Sequence, residues 1–291
     1  MNKLSAPSFS APINPLFSPL SNEDIPAGRR IALTVEYDGS HYSGWQLQQP
    51  GVSTVQEVLE SALGSIAAAP VRVACAGRTD TGVHATAQVV HFDSPAPRSA
   101  KAWVMGVNAN LPDSVAVRSA QAVDDDFHAR FSASSRRYRY CILNTQLRSA
   151  LSPSQLTRVR YPLQAEFMHV AAQELLGECD FSSFRAASCQ SSTPMRHIDF
   201  IRVQRMGDLV IVDIQANAFL HHMVRNIVGA LILVGRGRMS AAQLSQLLLL
   251  RDRTKAPETA RPNGLYLVGV NYPERFGLPV LAPGPWFIAG Q

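Results

Sequence analysis

The residues best suited to chemistry lie in a turn bracketed by glycines in the first half of the chain. Residues 75–84 read Cys-Ala-Gly-Arg-Thr-Asp-Thr-Gly-Val-His. The apolar run 71–76 predicts a strand that ends here, so Arg78 and Asp80 should project from its end on permissive backbone. Loops held by rigid elements often carry catalytic groups, but an aspartate in a turn can also serve only to bond its own backbone. Other segments must decide between these readings.

Several further motifs follow in a fixed order along the chain. They are Glu-Tyr-Asp-Gly at 36–39, Gly-Trp-Gln at 44–46, Asn-Ala-Asn-Leu-Pro at 108–112, Asp-Phe-His-Ala-Arg-Phe-Ser-Ala at 126–133, Arg-Tyr-Arg-Tyr at 137–140, Asp-Phe-Ser-Ser-Phe at 180–184, His-His-Met-Val-Arg-Asn at 221–226 and Gly-Leu-Tyr-Leu at 264–267. With the Asp80 turn, this set resembles the tRNA pseudouridine synthase A family from about residue 31 to the C-terminus. Thr81 stands where that family commonly has alanine, which adds a hydroxyl beside the aspartate.

The resemblance implies a fold, an activity and a partner. The fold is α+β, with two similar α/β halves that share a mostly antiparallel mixed sheet, and with Asp80 on the floor of a positively charged central cleft. The activity is the isomerisation of uridine to pseudouridine at positions 38–40 of the tRNA anticodon stem and loop. A homodimer is implied as well, and no cofactor.

Three residues are expected to carry the reaction. The chemistry requires a carboxylate able to form a transient covalent bond, and Asp80 is the family's essential aspartate. Arg225 matches an arginine that pairs with this aspartate and would favour its charged form. Tyr138 matches a tyrosine that stacks on the target base. Without the resemblance, Arg225 would be read as an exposed helical arginine and Tyr138 as a packing residue.

The expected substrate contacts come from four places in the chain. Arg78 is placed to fill the gap left by a flipped base or to hold its phosphate, and Arg98 is a further candidate for a phosphate contact. Two loops add aromatic, basic and hydroxyl groups suited to RNA. Their residues are Phe127, His128, Ala129, Arg130 and Phe131 in one loop, and Ser188, Cys189, Gln190, Ser191 and Ser192 in the other.

Metal and cofactor sites are not expected. His221 and His222 are adjacent, and on a helix beginning near Leu220 their side chains would point about 100° apart. There is no Walker loop and no dinucleotide-binding fingerprint. Two alternatives to the synthase remain: a catalytically silent RNA-binding protein on the same scaffold, and a metal-dependent hydrolase built on Asp80, His84 and His91.

Composition agrees with a nucleic-acid partner in a reducing compartment. The 291 residues carry a net charge of +5. Only three of the 27 basic residues are lysine, so 27 − 3 = 24 are arginine, whose planar fork suits phosphate and bases. The four cysteines form no CxxC pair, which indicates free thiols and a cytoplasmic protein. The longest apolar run, 227–234, is too short to span a membrane, so no membrane partner is expected.

Hydrophobic patterning divides the chain into three parts. Residues 1–28 are rich in Pro, Ser and Ala and predict a flexible tail. Residues 29–145 form an N-terminal half with the aspartate loop, and 146–291 a C-terminal half that completes the cleft. Capping boxes at Ser53 and Ser240 predict the starts of two helices.

Overall fold

The computed structural model describes residues 20–288, which form a mixed α+β structure. Its helices are α1 (Val55–Ala67), α2 (Ala165–Ala172), α3 (Met223–Gly235) and α4 (Ala241–Leu250). Its strands are β1 (Asp24–Ile25), β2 (Arg30–Tyr37), β3 (Ala74–Cys75), β4 (His84–Asp93), β5 (Arg98–Ser99), β6 (Val115–Val123), β7 (Ser135–Leu143), β8 (Thr157–Arg158), β9 (Gly177–Asp180), β10 (Met195–Met206), β11 (Leu209–Ala216) and β12 (Leu265–Asn271). A short π-helical turn covers Ala102–Gly106.

Ten of the strands form one continuous sheet. Its main path runs β6-β2-β4-β12-β7-β11-β10-β9, with β3 paired to β4 and β8 to β7. The pairs β12–β4 and β7–β8 are parallel, and the other pairs are antiparallel. The predicted mostly antiparallel mixed sheet is therefore confirmed.

Strands that precede residue 145 in the chain alternate with strands that follow it at the centre of this sheet. Strand β12, near the end of the chain, lies between β4 and β7. Its Tyr266 is opposite His84 of β4, and its Leu267 is opposite Tyr138 of β7. The proposed boundary at 145 thus falls in a connection and does not divide the sheet.

Of the two predicted capping boxes, the first is wrong and the second is confirmed. The cap of α1 is Thr54 rather than Ser53, and its hydroxyl accepts from the Glu57 amide at 3.3 Å. The predicted partner, Gln56, turns its carbonyl to the Leu47 amide instead. Helix α4 does have the predicted capping box at Ser240. Capping boxes are thus reliable only when no tertiary partner competes for the glutamine.

The predicted flexible tail, 1–28, is wrong for its last nine residues. Residues 1–19 lie outside the described residues. Within 20–28, β1 pairs antiparallel with β5, and the Lys101 amide donates to the Ser21 carbonyl at 3.1 Å. Backbone pairing orders this segment despite its low apolar content, a contribution that composition does not reveal.

Helices α2, α3 and α4 pack together beside β10 in the C-terminal part of the sheet. Helix α2 contacts β10, α3 and α4, and the inner face of α3 is almost completely buried. Within residues 20–288, no helix combines the length and apolarity needed to cross a membrane. This packing directs the N-terminus of α3 towards the Asp80 turn, as its contacts below show.

Candidate active site

The backbone of the Asp80 turn is held by hydrogen bonds to β2, β4 and the segment after β2. Gln88 of β4 donates to the Gly77 carbonyl at 2.6 Å. The Thr79 hydroxyl lies 2.8 Å from the Tyr37 hydroxyl, and the Thr79 carbonyl accepts from the Trp45 amide at 3.0 Å. Thr79 is buried, so the chain that leads into Asp80 is fixed in position.

Glycine at position 44 allows the neighbouring segment to approach this turn closely. Gly44 has a φ of +91°, and a Cβ built there would lie 2.8 Å from the Thr79 carbonyl oxygen. A side chain would therefore meet both backbone strain and a collision with backbone. The Gly-Trp-Gln motif at 44–46 thus supports the aspartate loop.

Three cationic or hydrogen-bonding side chains surround the Asp80 carboxylate. Arg225 Nη1 lies 3.1 Å from Oδ2, a contact that the family resemblance implies. His221 Nε2 lies 3.2 Å from Oδ1, and His222 Nε2 lies 3.3 Å from Oδ2. The Asp80 side chain is 24% exposed, so it remains accessible to a substrate.

The expectation that the two histidines diverge is wrong, because α3 begins at Met223 rather than near Leu220. His222 is the residue before the helix and adopts the left-handed conformation, with a φ of 63°. This turn brings the imidazoles of His221 and His222 together, with ring centroids 4.0 Å apart. Burial and the positive charge of Arg225 lower the pKa of His222, although the Asp80 charge opposes them.

Arg225 is fixed by a second contact. Its Nε donates to the Ala260 carbonyl at 2.9 Å, and the Ala260 amide donates back to the Arg225 carbonyl at 3.1 Å. One end of the guanidinium is therefore bound to backbone while the other is bound to Asp80. Such a fork holds the carboxylate in one orientation as well as balancing its charge.

The carboxylate opens into a cleft of about 450 Å³. Such a volume suits a single flipped nucleoside. The residues that line the cleft are Ser43, Asp80, Thr81, His221, His222, Arg225 and Pro262.

The comparison with known proteins identifies the family. The model of the family described as tRNA pseudouridine synthase matches residues 33–132 and 171–273. The chain belongs to this family. Its members isomerise uridine to pseudouridine in tRNA.

Relatives resemble this synthase along almost their full length. The tRNA pseudouridine synthase A of Actinobacillus pleuropneumoniae serotype 3 is 58% identical over 260 residues, which cover 89% of this chain and 99% of that relative. The protein of the same name from Shewanella woodyi is 57% identical over 259 residues, with the same coverage. Among solved structures, a chain of a Cbf5-Nop10-Gar1 complex aligns with a TM-score of 0.37 and 11% identity, covering 81% of this chain and 48% of that one. A similarity that weak supports no argument.

Tyr138 of the synthase borders the aspartate turn but is mostly buried. It is 8% exposed, and its ring meets Phe219 edge-on, with centroids 5.1 Å apart. A Cβ at Gly77 would lie 3.7 Å from its hydroxyl. Burial, followed by the Asp80 charge, raises the pKa of this phenol. Tyr140, in contrast, bonds Thr157 within the core.

The two single arginines of the predicted contact set lie in different surroundings. Arg78 is exposed beside Asp80, and its side chain makes no ion pair with any residue in 20–288. Arg98 donates to the Ile66 carbonyl at 2.9 Å and to the Pro97 carbonyl at 2.8 Å. Arg78 is thus free to meet RNA, whereas two of the Arg98 donors already serve the protein.

The predicted contact loop 127–131 is divided between core and surface. Phe127 and Ala129 are fully buried, so their side chains cannot reach RNA in this conformation. His128, Arg130 and Phe131 face outward, and Phe131 is 75% exposed with the Arg130 guanidinium 5.4 Å from its ring centroid. The outward side chains form a stacking surface.

The other predicted loop, 188–192, lies next to the histidine pair. Ser188 Oγ is 3.1 Å from His221 Nδ1, and the His221 amide donates to the Cys189 sulfur at 3.4 Å. Arg185 donates to the Cys189 and Ser191 carbonyls, which shapes the loop. The structure therefore joins this loop to the Asp80 cleft, while Gln190 and Ser192 are exposed.

The histidines proposed for a metal-dependent hydrolase do not gather around Asp80. His84 is buried, with Nδ1 accepting from the Gly39 amide and Nε2 3.0 Å from the Asn263 carbonyl. His91 Nδ1 accepts from the Ala129 amide at 3.1 Å. Within the part of the chain the structure describes, the metal-compatible group at Asp80 contains His221 and His222 instead. The hydrolase hypothesis is therefore wrong in its ligands.

Proposed function

We propose that this synthase converts uridine to pseudouridine at positions 38–40 of the tRNA anticodon stem and loop, with Asp80 as the catalytic residue. The observation that carries the role of Asp80 is its partly exposed carboxylate, ion-paired with Arg225 at 3.1 Å and open to a cleft. The family model and the relatives' names support tRNA as substrate. The choice of positions rests on the resemblance of the motifs to the family.

The reaction sets clear demands on the protein. The bond from C1′ to N1 breaks, the uracil turns, and C5 bonds to C1′, while the proton on C5 is lost and N1 gains one. Asp80 has three possible uses: attack at C1′, attack at C6, or removal of a sugar proton. Each needs a carboxylate with a fixed orientation and a free approach, which the contact with Arg225 and the open cleft supply.

The remaining site residues would place the flipped uridine. Tyr138, beside the aspartate turn, would pack against the base, and the exposed Arg78 would fill the vacated stack or bind its phosphate. His128, Arg130 and Phe131, which are not among the residues that line the cleft, would offer stacking and phosphate contacts. The hydroxyls of loop 188–192 would bond RNA at its rim.

We also propose that the synthase is a cytoplasmic homodimer, as the family resemblance implies. All four cysteines are free thiols, which suits a reducing compartment. Sedimentation of the purified protein would measure the oligomeric state directly, and a monomer at micromolar concentration would contradict the dimer.

Mapping pseudouridine in tRNA tests the proposal as a whole. RNA from cells that lack the protein should show uridine at positions 38–40, and the wild-type gene should restore pseudouridine. A gene encoding Asp80→Asn should not restore it, although the variant accumulates normally. If the modification is lost elsewhere in tRNA, the assigned positions are wrong. If Asp80→Asn restores pseudouridine, the catalytic role of Asp80 is wrong. The protein would still be an enzyme, so this result would not favour the alternative of a catalytically silent RNA-binding protein.

A further inference from the structure

We propose that Asp80, His221 and His222 form a binding site for a divalent transition-metal ion of the zinc type, which inhibits the synthase by occupying the carboxylate. The binding itself depends only on the geometry of the site. The inhibition rests on the proposed function of Asp80.

The three side chains supply the donor set that zinc prefers. Two imidazole nitrogens and a carboxylate oxygen, with a fourth position left to water, are typical of open zinc sites. His221 Nε2 lies 3.2 Å from Asp80 Oδ1, and one donor atom from each residue lies within 4.8 Å of the others. A tetrahedral ion with bonds of about 2.0–2.2 Å keeps its ligand atoms about 3.3–3.6 Å apart. Small side-chain rotations therefore suffice.

A hydrogen bond to its second ring nitrogen orients the imidazole of His221. Ser188 Oγ lies 3.1 Å from His221 Nδ1. When Nε2 donates to Asp80, the serine hydroxyl donates to Nδ1; when Nε2 binds a metal, Nδ1 carries the proton and the same hydroxyl accepts it. A second group that orients a ligand histidine in this way is a usual part of metal sites.

Arg225 does not prevent this arrangement because it contacts the other carboxylate oxygen. Its Nη1 lies 3.1 Å from Oδ2, which leaves Oδ1 for the ion. The guanidinium charge should weaken affinity, so binding is expected at micromolar rather than nanomolar metal. The cleft of about 450 Å³ leaves room for water as the remaining ligand.

Inhibition follows from the position of the ion. A metal on Oδ1 draws electron density from the carboxylate and places an ion and its water where the uridine must lie. The ion and tRNA would then compete for one site. An increase in KM with little change in kcat is the expected kinetic signature.

Cobalt binding by the full-length protein tests the site without reference to activity. We expect one Co²⁺ per chain with the intense visible absorption of a tetrahedral site, displaced by Zn²⁺. The double variant His221→Gln/His222→Gln should lose the absorption, while His197→Gln, which changes an exposed histidine on β10, should keep it. Ser188→Ala should bind about 10- to 100-fold more weakly. Circular dichroism establishes that each variant is folded.

Equal Co²⁺ binding by the wild type and the double variant, or no binding by either, would overturn the site. In the activity assay, micromolar Zn²⁺ should raise KM for tRNA, and EDTA should reverse the effect. Zn²⁺ inhibition of the wild type that lowers kcat without raising KM for tRNA would overturn the mechanism of inhibition. A wild-type protein that is inactive on tRNA would refute the proposed function. The cobalt experiment would still test the metal site, because it does not depend on activity.

Discussion

At the scale of single residues, the carboxylate of Asp80 is the feature on which the proposed reaction depends. Asp80→Asn keeps the size of the side chain but removes its charge. We expect pseudouridine formation to fall by several orders of magnitude, because an amide can act neither as nucleophile nor as base. RNA affinity should persist, since it comes mainly from phosphate contacts and stacking. Single-turnover assays and filter binding measure the two quantities.

The matched control for this substitution is Asp199→Asn, which changes a half-exposed aspartate on β10 that accepts from Gln215. It should retain full activity. Substantial turnover by folded Asp80→Asn protein would show that the reaction does not pass through this carboxylate.

Arg225 gives a second prediction at the same scale. Arg225→Leu should reduce kcat far more than tRNA affinity, because the guanidinium holds Asp80 rather than phosphate. The free energy of unfolding should fall by less than the roughly 3–5 kcal/mol typical of a broken buried pair, since the Asp80 side chain stays 24% exposed. Arg202→Leu, an exposed arginine over Phe200, is the control and should change neither quantity. Loss of tRNA affinity alone would instead assign Arg225 to substrate binding.

His91 predicts how stability depends on pH. Burial, followed by the positive charges of His128 and Arg30, lowers its pKa from 6.5 to about 4. Between these pH values the unfolded chain binds more protons than the folded protein. The contribution of neutral His91 to the free energy of unfolding is therefore fully present above pH 6.5, and it is lost as the pH falls towards 4. The loss should reach at most about 3 kcal/mol. Denaturant unfolding of wild type and His91→Asn, whose carbonyl can still accept from the Ala129 amide, should show a smaller loss in the variant. Equal losses in the two proteins would show that His91 does not cause the pH dependence of stability.

The sequence predicts the central contact of the site but not its full geometry. Asp80 and Arg225 belong to motifs by which the chain resembles its family, and that resemblance implies the contact that they make. The approach of His221 and His222 depends on one left-handed backbone angle at position 222, which no periodicity encodes. The burial of Phe127 and Ala129 is likewise decided by distant packing, with Phe127 against Tyr272 and Phe276.

At the scale of elements, Gly44 shows how the segment after β2 supports the aspartate turn. Gly44→Ala should destabilise the protein by about 1–2 kcal/mol for its positive φ and by about 1–3 kcal/mol more for the contact with the Thr79 carbonyl. Gly51→Ala is the matched control, because Gly51 has a φ of +90° but nothing within 4 Å of a built Cβ. The denaturant concentration at the unfolding midpoint should therefore be lower for Gly44→Ala than for Gly51→Ala. Equal midpoints would show that the turn can move away from the new side chain without a cost in stability.

Elements with strong sequence patterns form where they are expected, but some of their ends are displaced. Strand β2 spans residues 30–37, which are rich in β-forming side chains, and α4 begins at its predicted cap. The start of α1 shifts by one residue because tertiary contacts engage Gln56, and β3 shortens to two residues because the apolar run before it packs into the core without pairing. Local propensity identifies elements, whereas partners distant in the chain set their limits.

At the scale of the whole molecule, the pairing of β1 with β5 predicts the effect of truncation. Deletion of residues 1–28 removes this pair and the contact of Ser21 with Lys101, whereas deletion of 1–19 leaves both. We expect the longer deletion to lower the thermal midpoint by several degrees relative to the shorter one. Calorimetry of the two truncated proteins makes the comparison. Identical midpoints would show that residues 20–28 add no stability.

The central position of β12 sets the order in which the molecule can be completed. The ribosome makes this strand about 170 residues after β4, yet β12 fills the space between β4 and β7. Until residue 271 has emerged, β4 and β7 have no common neighbour, and Asp80 and Arg225 lie on segments without a shared sheet. The nascent chain therefore has no assembled active site during most of its synthesis. We therefore expect activity to appear late, when β12 enters the sheet between β4 and β7.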